Sequence, residues 1–72
     1  MNDEHTVTVS VNNEIKVIAA EQVLASLLGE WGFQPAGVAV AVNEDFVPRS
    51  QYQCVRLREG DKVDVLAPVQ GG

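Results

Sequence analysis

One cysteine and one histidine in 72 residues exclude an internal disulfide and leave His5 without a second ligand at a spacing suited to metal binding. Basic charge is also scarce. Lys and Arg number five against ten Asp and Glu, a net charge of −5. That balance repels phosphate backbones and anionic headgroups, so no nucleic acid and no membrane is expected as a partner. A basic or mixed protein surface fits better, although acidity also keeps a small protein soluble. The longest apolar run, Val38 to Val42, is strand length and far short of the ~20 residues a membrane span needs. With no apolar segment behind a basic N-terminus, the expected compartment is the reducing cytoplasm. Nucleophile–base pairs, metal-spaced ligands and phosphate-cradling loops are lacking too, which argues against an enzyme with its own active site. A single small domain is what remains, burying about 60% of the surface its unfolded chain exposes.

Within those bounds the pattern is informative. His5 to Val11 alternates polar and apolar residues, predicting a strand with Val7, Val9 and Val11 inward. Asn12-Asn13 tolerates left-handed backbone and turns the chain into a second strand, Ile15 to Ala19, with Ile15 and Val17 expected inward. From Glu21 the period changes, and Val23, Leu24, Leu27, Leu28 and Trp31 share one helical face ended by Gly32. Glu21 is expected to set its charge against the positive end of the helix dipole. Val38 to Val42, apolar on both faces, reads as a central strand with Ala39 and Ala41 on its thinner side. A turn at Asn43-Glu44-Asp45 leads to Phe46-Val47, and Pro48 ends regular pairing. Cys54 to Leu57 is expected to form a short fourth strand, and Lys62 to Ala67 the last. The order ββαβ(β)β in so short a chain predicts an α+β roll, a mixed sheet of four to five strands grasping one main helix. This is the β-grasp, or ubiquitin-like, architecture. Residues 1–68 are assigned to the domain and 69–72 to a flexible functional tail.

The tail ends in Gly71-Gly72. Two terminal glycines arise by chance in about 0.5% of proteins. They are read either as a frayed end or as a device. Their position directly after a strand, a Pro and a Val, with no charged residues beyond, favours the device. Lacking Cβ, such a tail can thread a narrow partner channel, with Gln70 and Gly71 in the passage and the Gly72 carboxylate at its end. A carboxylate is a poor electrophile until it is converted to an acyl-adenylate. A sulfur nucleophile then displaces AMP and leaves a terminal thiocarboxylate, so the chain needs no catalytic residue, metal or bound cofactor of its own.

Three segments carry a resemblance: the ending Val65-Leu66-Ala67-Pro68-Val69-Gln70-Gly71-Gly72, the preceding Arg58-Glu59-Gly60-Asp61-Lys62-Val63, and Val40 through Phe46-Val47-Pro48-Arg49. Together they resemble the ThiS family of thiamin-biosynthesis sulfur carriers across nearly the whole chain. The Gly-Asp turn and the tail are shared with the small subunit of molybdopterin synthase, whereas the Val-Asn and Val-Pro-Arg elements and the short length favour ThiS. The resemblance implies adenylation of Gly72 with MgATP by an E1-like, ThiF-like adenylyltransferase. It also implies sulfur supply by a cysteine desulfurase relay, and transfer to a ThiG-like thiazole synthase. Two features depart from the pattern: residues 1–4 extend beyond the usual first strand, and Ala20 stands where a polar cap is common.

Partner contact is expected at Phe46, after a turn, and at Leu66, out of phase with inward Val63 and Val65, as an apolar patch near the tail. Arg49 is either a charged partner contact or a solvated turn residue. Trp31 is assigned to core packing rather than to a binding hot spot, and Cys54 to a partly buried strand rather than to thiol chemistry. Alternatives to a thiazole-directed carrier are sulfur delivery to molybdopterin or cysteine synthesis, an isopeptide-forming protein modifier, and a noncovalent interaction module with an inert tail.

Overall fold

A computed structural model describes residues 5–67, so the predicted tail lies outside the described residues. The N-terminal alternation forms an antiparallel hairpin of β1 (Thr6–Val11) and β2 (Glu14–Ala19), joined by Asn12 and Asn13 at φ 51° and 71°. Both values belong to the left-handed pair that a two-residue hairpin turn requires. In β2 the expected facing is reversed: Ile15 and Val17 are 72% and 66% exposed, whereas Ile18 is buried. The turn explains this. A two-residue loop pairs Val11 directly with Glu14, and directly paired residues share a face. Val9 and Val11 point inward, so Lys16 and Glu14 opposite them take the inner side and Ile15 and Val17 turn outward.

Helix α1 runs Leu24–Glu30, starting later than Glu21. Val23 is still extended and forms a bridge with Arg56. No side chain caps the helix. Instead the backbone N–H groups of Leu24 and Ala25 donate to the carbonyls of Val55 and Tyr52, each at 2.8 Å. Two first-turn donors are thereby satisfied by a distant loop, and Glu21 stands outside the helix. The C-terminus follows expectation. Gly32, at φ +90°, donates to Gly29, and Phe33 donates to Leu28 at 2.8 Å, the two bonds of a Schellman ending. Within α1, a Cβ at Gly29 meets nothing within 4 Å. Gly29→Ala is therefore expected to stabilise the domain by about 0.5–1 kcal/mol, read as a higher urea midpoint at unchanged slope.

After a 3-10 turn at Pro35–Gly37 come β3 (Ala39–Val42), β4 (Asp45–Val47) and β5 (Lys62–Leu66). The sheet order is β2-β1-β5-β3-β4, with β1 and β5 parallel and the other pairs antiparallel. The middle strand is thus β5, and β3, paired with β5 on one side and β4 on the other, is an interior strand as expected. Ala39 and Ala41 lie on the outer face, as expected, alternating with buried Val38 and Val40.

No strand forms at Cys54–Leu57. A 3-10 turn at Arg49–Gln51 and further turns carry the chain to the isolated Val23–Arg56 bridge. Cys54 is accordingly exposed in a turn, not partly buried in a strand. This irregular segment still contributes to the core. Tyr52 and Leu57 are each 2% exposed, and the Tyr52 hydroxyl donates to the Val38 carbonyl at 3.0 Å. They join Leu24, Leu27 and Leu28 of the helix and Val9, Val40 and Val63 of the sheet, with Trp31 packed partly buried at the margin.

Candidate functional site

The outer face of the β5–β3–β4 edge gathers the predicted partner-contact residues. Leu66 pairs with Ala39, and Phe46 pairs with Ala41. Two small alanines therefore separate two large apolar side chains that are 66% and 68% exposed. Because the alanines stand low, the surface between the two large side chains is a shallow, mainly apolar saddle, bordered by Asp64, which pairs with Ala41.

Beside it, a groove of about 300 Å³ is lined by Gly37, Val38, Ala39, Arg49, Leu66 and Ala67. Arg49 reaches this groove because Pro48 ends β4 and the chain immediately turns into Arg49–Gln51. The geometry thus brings Arg49 and Leu66 together around one concavity, with Phe46 on the adjoining saddle. Among the described residues Arg49 has no ion-pair partner; Lys16–Glu14 at 3.8 Å is the pair found. The groove abuts Ala67, the last described residue, so the strand carrying Leu66 leads directly toward the predicted tail. Gln70, Gly71 and Gly72 lie outside the described residues.

Both ends of β5 are held by residues that the sequence pattern did not single out, Asn43 where the strand begins and Asn12 where it leaves the sheet. Beyond Val11–Val63, β1 turns away into its hairpin. The Asn12 side chain replaces the lost ladder: its Oδ1 accepts from the Val65 N–H at 2.8 Å and its Nδ2 donates to the Val65 carbonyl at 3.2 Å. On the other flank, Asn43 Nδ2 donates to Asp61 at 2.9 Å, and Asn43 Oδ1 accepts from the Lys62 N–H at 3.0 Å. Both asparagines read as turn formers in the sequence, and nothing in the pattern signals their second role. His5 and Cys54 are exposed, and among the described residues no group of three His, Cys, Asp or Glu side chains is placed to hold a metal.

A family model described as "ThiS family" matches residues 3–72. This chain belongs to the ThiS family. Over 61 residues it is 31% identical to the sulfur carrier protein ThiS of Escherichia coli, covering 85% of this chain and 92% of that one. Over 62 residues it is 37% identical to a thiazole synthase of Paramagnetospirillum magneticum; the match takes in 86% of this chain but only 19% of that protein. The fold is similar to that of the thiamine biosynthesis protein ThiS from Geobacter metallireducens. The TM-score is 0.73 at 22% identity, covering 92% of this chain and all of the other. The β-grasp architecture expected from the order of elements is therefore the one observed. The ThiS match also extends over residues 68–72, and so includes the Gly-Gly ending on which the chemistry was read.

Proposed function

We propose that this ThiS-family chain is a sulfur carrier for thiazole formation in thiamin biosynthesis, working in the cytoplasm as a protein co-substrate rather than as an enzyme. The observation that carries this reading is the family match through Gly72, on a fold whose central strand β5 ends at Leu66, six residues before it in the sequence. In the cycle, the Gly72 carboxylate attacks the α-phosphate of MgATP held by an E1-like adenylyltransferase and releases pyrophosphate. A persulfide supplied by a desulfurase relay displaces AMP to give an acyl disulfide, which a thiol cleaves to the thiocarboxylate, the two thiol sulfurs leaving as a disulfide. The thiocarboxylate then gives its sulfur to thiazole synthase, and an oxygen from the acceptor's substrate or from water restores the carboxylate.

Two features support thiazole synthase as the acceptor. A protein bearing that name contains a region similar to this chain, and a carrier tethered to its acceptor gains a high effective concentration. The apolar saddle and groove also lie where β5 leaves the sheet, so a partner docked there is close to Ala67, the residue from which the tail sequence continues. The test is reconstitution with purified acceptors. Thiocarboxylated protein is expected to turn over with thiazole synthase and not with molybdopterin synthase or a cysteine synthase; turnover only with one of the latter overturns the assignment. Leu66→Asp is expected to weaken binding to the activating enzyme at least tenfold, measured by calorimetry, because it sets a charge in the apolar saddle. Leu66 is exposed, so the variant folds; unchanged affinity removes this face as the docking surface.

A further inference from the structure

The sheet ends at β2, and the outward side of that strand is unpaired among the described residues. On β1, Ser10 and Asn12 donate to β5, so the groups of Val9 and Val11 face β2 and are met by Lys16 and Glu14. Alternation then turns the backbone N–H and C=O of Ile15 and Val17 to the open edge. The same two residues present exposed apolar side chains on the outer face, and Glu14 and Lys16 occupy the inner face on either side of Ile15. An open edge with apolar side chains is a template for another strand.

From this arrangement we propose that β2 pairs antiparallel with β2 of a second copy, about a two-fold axis at Ile15. The charge pattern selects both the occupant and the register. An axis at Ile15 sets Glu14 of each copy opposite Lys16 of the other, two reciprocal ion pairs, and the two Ile15 residues exchange backbone hydrogen bonds. Ile15 also lies diagonally beside the other copy's Val17, within reach across paired strands. An axis at Lys16 opposes two ammonium groups directly. An axis at Val17 leaves Lys16 facing Ile18 and brings the two lysines into diagonal proximity. The Lys16–Glu14 contact at 3.8 Å within one chain shows that both groups are already on one face and close enough to exchange partners. This edge is at the opposite end of the sheet from β4, so pairing there leaves the Phe46–Leu66 saddle and the groove open on both copies.

Sedimentation equilibrium of the intact chain at low salt and several concentrations up to the millimolar range tests the proposal. A concentration-dependent monomer–dimer equilibrium is expected. Lys16→Glu and Glu14→Lys each oppose like charges and are expected to weaken dimerisation at least tenfold, with circular dichroism confirming the fold. Mixing the two variants restores complementary pairs and is expected to yield a heterodimer, as is the double swap a homodimer. A wild-type chain that stays monomeric throughout, single variants that dimerise normally, or a mixture that fails to associate overturns the proposal. The last of these outcomes specifically rejects the Ile15 register.

Discussion

Deleting Gly72 is expected to abolish thiocarboxylate formation and to leave the domain folded. Among the described residues the buried core lies between Val9 and Val65, so loss of the terminal residue removes none of that core. What it removes is the one position whose carboxylate lies beyond a Cβ-free approach. The new terminus also reaches one residue less, roughly 3.5 Å in an extended chain. Positioning of the reacting atoms is worth several kcal/mol of barrier, and misplacement by about 1 Å can cost a hundredfold. The expected rate is therefore at background. The measurement is mass spectrometry of the tryptic fragment Val63 to Gly72 after incubation with MgATP, a sulfur donor and the activating enzyme. That fragment contains no Met, Cys or Trp, so replacement of one oxygen by sulfur, trapped with a thiol-selective alkylator, is free of side-chain oxidation. An unmodified wild-type fragment, with the activating enzyme active on its own carrier, removes the carrier reading and leaves a noncovalent module. A fully modified truncated chain removes Gly72 from its role.

The domain shows which parts of a fold a sequence displays and which it hides. The hairpin, the Gly32 helix ending and the last strand were legible because each rests on local chemistry: asparagines suited to left-handed backbone, a glycine at C′, period-two alternation. The facing of β2 was also implicit, since a two-residue turn fixes parity. Reading Ile15 and Val17 inward gave apolarity precedence over register, and register won because Val9 and Val11 had already claimed the core side.

The helix start and residues 49–58 were not legible for a different reason. Their hydrogen bonds are tertiary: Val55 and Tyr52 carbonyls serve as the helix cap, and Tyr52 closes on Val38. Local propensity holds no record of such partners. Leu66 could be placed outward by phase and Phe46 by its position after a turn, whereas the meeting of Leu66 with Arg49 around one groove required the turn after Pro48 to be seen in three dimensions.

Leu27→Ala is expected to leave the chain largely unfolded at 25 °C. Leu27 is fully buried at the centre of helix α1, in a core cluster whose members include strand valines anchored in the sheet. They cannot close readily on a vacated site. Truncations of this kind cost about 2–5 kcal/mol. A single core in a chain of this length supplies only about 3–5 kcal/mol, so the loss takes most or all of the stability. Urea denaturation followed by circular dichroism checks it: the variant should show no folded baseline or a midpoint near zero. Ile15→Ala serves as the counterpart, because Ile15 is as apolar as Leu27 but 72% exposed, and its replacement is expected to shift stability by less than about 0.5 kcal/mol. Equal effects at the two positions contradict the facing described for β2. A large difference locates the folding energy in the helix–sheet layer and leaves the outer face, with its two apolar edges, free for other molecules.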